Sequence, residues 1–149
     1  MKVFASMAVS ASALSAEKMR IDTISQNMAN MNTTRTPEGG PYQRRRVVFS
    51  EMLQESKLNR FVRLPTRGGN ANGAGVQVSA VIRDGAPARM VHDPSHPDAD
   101  EEGYVAMPNI DIVNEMVDLI TASRAYETNV QVLNVTKSLA MKALEIGRG

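Results

Sequence analysis

With 149 residues, 42% of them hydrophobic but only 4% aromatic, the chain has room for one domain, or for a helical stem carrying a small β module. Ten methionines and no tryptophan make any core aliphatic and thin, a shortage that contacts between subunits would relieve. A formal net charge of +1 gives no global pull towards nucleic acid or membrane, and the absence of cysteine excludes disulfides and thiolate metal sites.

The first element is a long amphipathic helix from about residue 4 to residue 32. Met7, Leu14, Ile21 and Met28 recur every seven residues, and Phe4, Ile24 and Met31 widen the stripe they draw. The first sixteen residues imitate a secretory signal, with Lys2 ahead of small and apolar residues and a small-x-small pattern at Ala11-Ser12-Ala13. Serines at positions 6, 10, 12 and 15 interrupt every apolar core that such a signal needs, and the heptad stripe runs on through the supposed cleavage point. No run approaches the length of a membrane span. Export, if it occurs, is expected by a route that removes no signal peptide.

Residues 33–108 change texture. A cluster of Asn, Thr, Gly and Pro ends the helix. Tyr42–Ser50 then offers a short strand at Val47-Val48-Phe49, behind three consecutive arginines, Arg44 to Arg46. Residues 66–75 read as loop by composition. Val76 to Ile82 alternates as a strand, with Val76, Val78, Ala80 and Ile82 on one face. Ala88–His92 is expected to pair with it across an Asp84-Gly85 turn, partially because of Pro87. Residues 33–67 hold eight basic and three acidic side chains, whereas 83–103 hold two basic and six acidic, so one surface is positive and another negative. In a polymer the two could meet between subunits; on a monomer they are simply two solvated faces.

The last element is a second long helix, from about 110 to 146. Ile112, Leu119, Tyr126, Leu133 and Ala140 repeat every seven residues, with Met116, Val130 and Leu144 four residues after their neighbours. At 1.5 Å per residue the two helices measure roughly 40 Å and roughly 55 Å, too long to wrap inside a compact domain of this size. The fold class is therefore mainly α with a small β module: residues 1–32 and 109–149 form a coiled-coil stem, and 33–108 form a loop and β segment. The stripes read as packing surfaces, against each other and against other subunits. A plain antiparallel hairpin within a monomer is the simpler alternative.

Sites for chemistry fail on inspection. His92, Asp93, His96, Asp98, Asp100, Glu101 and Glu102 suggest a metal cluster, and Asp98 opens a calcium-loop pattern, but its twelfth position is Asn109 where a bidentate Glu is needed, and Pro94 and Pro97 deny it an entering helix. Glycines 68, 69, 73 and 75 precede a strand, not the helix that a phosphate cradle requires. No G-x-S-x-G, H-E-x-x-H or Cys exists to support catalysis. The triple arginine has only Tyr42 beside it to stack on a base. Neither enzyme activity nor a cofactor, metal or nucleic-acid partner is expected.

Two blocks of residues carry a family resemblance. Ser12-Ala13-Leu14-Ser15-Ala16 followed by Ser25 to Thr36, with Asn27, Ala29, Asn30, Asn32 and Thr33, resembles the N-terminal signature of bacterial flagellar rod and hook proteins. The continuation through Gly39, Gly40, Pro41 and Tyr42 into Arg44 to Phe49 is most similar to the proximal rod members. Asp93 to Val105, Met107 to Asp111, Asn114 to Asp118 and Ser123 to Glu127 resemble the C-terminal half of the same proteins. The resemblance thins at residues 55–75. It implies a structural subunit that leaves the cell unprocessed through the flagellar type III export apparatus. It also implies assembly with itself and other rod proteins into a hollow periplasmic drive shaft, the termini forming the inner stem and becoming ordered as they assemble. The subunit-packing residues are then Met7, Leu14, Ile21, Ile24, Met28, Ile112, Met116, Leu119, Tyr126, Val130, Leu133 and Leu144. A soluble dimeric coiled-coil adaptor or export chaperone is the competing function.

Overall fold

The computed structural model describes residues 2–52 and 75–147, with side chains from Ala5 onward. The glycine-rich stretch read as loop lies outside the described residues except for Gly75, as does Phe4 of the first stripe in its side chain.

Helix α1 spans Lys2–Ala29 and α2 spans Ile112–Ile146. A run free of Gly and Pro sustains α1 until Asn30 and the four residues after it, all poor helix formers but Met31, end it. There the Asn30 side chain donates to Gln26 O at 2.8 Å and accepts from Thr33 Oγ1 at 3.2 Å. The helix thus stops a turn earlier than its heptad stripe suggests. Asp111 caps α2, accepting from Val113 N–H at 2.9 Å and from Asn114 Nδ2 at 2.9 Å, and Gly147 N–H closes the far end onto Ala143 O.

Strand β1 (Arg45–Glu51) pairs antiparallel with β2 (Val76–Arg83), and β3 (Arg89–His92) pairs antiparallel with β4 (Tyr104–Met107), as two separate two-stranded sheets. The pairing expected between 76–82 and 88–92 is not formed. Asp84 N–H instead donates to Arg44 O at 2.7 Å, prolonging the β1·β2 ladder, and Pro87 separates β3 from it, leaving β3 to take β4 as its partner. A bulge also breaks the expected alternation. The register slips between Val48 and Phe49, with Ser79 Oγ donating to Val48 O, so Val76 and Val78 are half-buried while Ala80 and Ile82 are exposed. The β1·β2 ribbon lies along α1. At one end Gly75, at φ 129°, comes so close that a Cβ there would stand 2.2 Å from Ser12 Oγ, which accepts from Val76 N–H at 3.1 Å.

The helices run antiparallel, with Asn27 beside Glu115 and Arg20 beside Asp118. Apart from Ile24, the buried residues of the two helices are small or polar: Ser10, Ala16, Thr23 and Asn27 on α1, and Glu115 and Ala122 on α2. Small side chains let the backbones approach, and the large residues flank this stripe: Met7, Leu14, Ile21, Met28, Leu119, Tyr126, Val130 and Leu133 are half-buried. A second small core lies under β4, where Val105 is 1% exposed and Pro108 is buried.

One polar cluster joins α1, β1 and α2. Glu115 is 1% exposed, and its carboxylate accepts from Arg44 Nε at 2.5 Å and from Asn27 Nδ2 at 3.1 Å. Asn27, equally buried, also donates to Arg45 O at 2.9 Å and accepts from Arg45 N–H at 2.9 Å and Tyr42 Oη–H at 3.1 Å. Arg44 reaches on to Asp118 and Asp84. Every acceptor inside this cluster has a donor, the condition under which a buried charge is tolerated.

Glu115→Ala is therefore expected to lower the unfolding free energy by about 1 to 3 kcal/mol, because it removes an acceptor from Asn27 and from Arg44 Nε while Arg44 keeps Asp118 and Asp84. Glu38→Ala, which removes an exposed ion pair with Arg83, is expected to leave the urea midpoint close to that of the parent chain. Equal midpoints for the two variants would contradict this ranking.

Candidate assembly surface

Exposed apolar side chains gather at both ends of α2. Near its start Ile112, Val113, Met116, Val117 and Ile120 are exposed, and near its finish Val135, Leu139, Met141, Leu144 and Ile146 are. Side chains of this size normally lie inside, and so many on one helix form the kind of patch that marks a contact. The outward face of α1 is different, presenting Ala5, Ala8, Ala11 and Ser15 in its first half and Lys18, Asp22 and Gln26 in its second.

The packing residues read from the heptads fall into two sets. Met7, Leu14, Ile21, Ile24 and Met28 lie on or beside the α1 face that meets α2, as do Leu119, Tyr126, Val130 and Leu133 on α2. Ile112, Met116 and Leu144 lie outside that seam and are 40%, 49% and 69% exposed. Periodicity placed the stripes but weighted large residues, so it put the centre of α1's buried face to one side of Ser10, Ala16, Thr23 and Asn27.

The motif residues form a hinge that aims the polar cluster. Ala29 ends α1, Asn30 and Thr33 hold the turn after it, Asn32 is exposed, and Tyr42 N–H returns to Thr33 O at 3.0 Å. Gly39 and Gly40, at φ 89° and 72°, turn the chain so that Thr36 N–H reaches Gly40 O, and Pro41 delivers Tyr42 to Asn27. Burial pushes the Tyr42 phenol above its ordinary pKa, opposed by the Arg45 guanidinium over its ring at 5.7 Å. The phenol therefore supports the fold fully below about pH 10 and withdraws that support as pH rises through its raised value.

The arginine run is split by the strand: Arg44 points into the cluster, Arg45 lies over Tyr42, and Arg46 is exposed. Asp93 and Asp100 act as turn acceptors, and Asp98 ties this loop to the one after α1. Asp98 takes Thr34 Oγ1–H at 2.7 Å and faces Arg35, Asp100 takes the N–H groups of Glu102 and Tyr104, and Asp93 takes Ser95. Hydrogen bonds from Ser95 hold Asp93 below the usual carboxylate range, and Arg83 does the same for Glu38. Both groups favour the fold above their ordinary values, and that support fades as pH falls through the lowered ones. Among the described residues no group of three His, Cys, Asp or Glu is placed to hold a metal ion, and no helix is long and apolar enough to cross a membrane. The contribution of Glu115 and Arg44 escaped sequence reading, since partners 71 residues apart leave no local signal.

Residues 7–35 match the family described as flagella basal body rod protein, and residues 101–146 match the C-terminal family of flagellar basal body rod FlgEFG proteins. The chain is 42% identical to the flagellar basal-body rod protein FlgC of Borreliella burgdorferi over the whole of both chains. It is 46% identical to FlgC of Bacillus subtilis, over 99% of this chain and all of that one, and 39% identical to FlgC of Salmonella typhimurium, over 94% of each. Full-length identity at this level, with most of α1 and all of α2 inside matched rod families, means that the chain belongs to the FlgC family of flagellar basal-body rod proteins.

Proposed function

We propose that this protein is a structural subunit of the proximal rod, and that it polymerises through its terminal helices with copies of itself and other rod proteins. The rod it builds is a hollow shaft that transmits torque and conducts exported subunits. The observation that carries this reading is the exposed apolar surface along α2, which a lone subunit leaves in water and a helical wall covers. No group in the described residues is arranged for catalysis, and the protein works by holding position. Its route is export through the flagellar type III apparatus without cleavage, and its place is the periplasmic part of the basal body.

Marginal order before assembly follows from the same packing. The α1 face that meets α2 buries Ser10, Ala16 and Thr23, which remove little apolar area from water for the backbone entropy of a 28-residue helix. Neighbouring subunits supply the remainder, so that premature polymerisation in the cytosol is suppressed.

Deleting the gene in its host is expected to abolish swimming and leave basal bodies without a rod by electron microscopy, with the plasmid-borne gene restoring both. Persistent rods and swimming in the deletion strain would instead favour a soluble adaptor. Ile120→Asp, on the outward face, is expected to keep the parent's circular dichroism and melting temperature yet fail to restore swimming, because a charge in a dry contact is costly. Amide exchange on the dilute monomer is expected to be fast over residues 5–16, the part of α1 furthest from the Asn27–Glu115 tie, and to slow on assembly; strong protection there in the monomer would contradict the ordering step.

A further inference from the structure

One carboxylate on the buried side of α1 stands outside the hydrogen bonding that holds the rest of the fold. Glu17 lies seven residues after Ser10 and seven before Ile24, which are 7% and 6% exposed, so the three share one line along the helix. Ala16 beside it is 3% exposed. The Glu17 side chain is half-buried, and its Oε2 is closed off from solvent with no hydrogen-bond donor in reach among the described residues. Among those residues it is the one buried side-chain oxygen or nitrogen in that condition. An acceptor that gives up its water and receives no donor in exchange opposes the packing that covers it.

Glu115 shows the opposite case on the facing helix. It is buried as well, but Arg44 and Asn27 donate to it, so its burial fixes a position. For Glu17 the nearest cation along the helix in the right direction is Arg20, one turn on, a spacing at which a carboxylate and a guanidinium of the same helix meet. Arg20 Nη2 is turned to α2 instead, 3.6 Å from Asp118. Lys18 is exposed, a third of a turn round the helix. In a helix free of its neighbours Glu17 stands in water and Arg20 is available to it. Packing of α1 into the subunit removes the water from one oxygen and draws Arg20 away to Asp118.

We propose that Glu17 acts as a brake on the docking of α1, holding the free subunit loosely closed until contacts with neighbouring subunits complete the closure. This deepens the assembly reading above, on which its consequence for export rests, by naming the side chain that keeps the helix pair weak. An apolar residue at this position would continue the line to Ile24 and bury area without leaving an oxygen stranded. The subunit would then be harder to open, and a chain that must be unfolded to be exported would leave the cytoplasm more slowly.

Glu17→Met tests this, since it keeps an unbranched side chain and good helix propensity while removing both oxygens. In the purified full chain it is expected to raise the thermal unfolding midpoint by about 3 to 6 °C and to slow amide exchange over residues 5–16 about tenfold. Lys18→Met, the same new side chain at the neighbouring exposed position, is expected to leave both near the parent's values. A midpoint for Glu17→Met no higher than that of the parent or of Lys18→Met overturns the brake. In the deletion host, the share of Glu17→Met found outside the cytoplasm is expected to fall below the parent's; an equal share beside a raised midpoint overturns the link to export. If the parent gene itself restores no swimming, the rod assignment fails, and the midpoints still decide what Glu17 does.

Discussion

One buried carboxylate sets how the two helices and the first strand meet. Glu115 belongs to the first turn of α2, yet its two oxygens are held by Asn27 near the end of α1 and by Arg44 just before β1. Removing a carboxylate and a guanidinium from water costs about what their attraction and hydrogen bonds return, so the net stabilisation of such a pair is small. Its consequence is positional. Sliding α1 by one turn past α2 would leave a dry charge without a donor, a penalty that apolar packing of small residues such as Ala16 and Ala122 cannot offset. The register of two long helices, which smooth small-residue surfaces would leave loosely defined, is thus set at one end.

The same cluster explains the hinge between stem and sheet. Asn27 acts as a surrogate strand, donating to Arg45 O and accepting from Arg45 N–H, so the first residue of β1 is bonded to a side chain of α1. Both the turn at Gly39-Gly40 and the return of Tyr42 to Thr33 serve to bring that residue into place. At the other end of the ribbon the tie is steric, where the missing side chain of Gly75 lets Ser12 accept from Val76. With both ends fixed, β1 and β2 are carried along α1 as an appendage of the stem.

The two helices were legible in the sequence because their seven-residue repeats extend over many turns, and the strands at 45–51 and 76–83 because of their apolar runs. Less legible was which side of α1 faces inward. Hydrophobicity points to Met7, Leu14, Ile21 and Met28, whereas close approach selects Ser10, Ala16, Thr23 and Asn27, whose contribution comes from small size and hydrogen bonding. The pairing of β3 was misread because Asp84-Gly85 is a turn signal without knowledge of what Arg44 O would accept. Nothing in the acidic run at 93–102 distinguishes a cation site from a set of turns, and only the geometry assigns its carboxylates to N–H and hydroxyl donors.

A subunit built this way has an unusual balance. Ala16, Ile24, Val105 and Ala122 are the buried hydrophobic residues among those described, while many larger ones along α2 stay in water. Apolar burial scales with the area removed from water, so most of what this sequence offers is realised outside its own fold. Stability and assembly are then one quantity. Each neighbour that covers α2 also holds α1 against it, and each subunit added to a wall raises the cost of unfolding those already there. On the proposed function, that coupling is what a torque-bearing rod requires, because load applied to one helix pair is then shared by the contacts of all its neighbours.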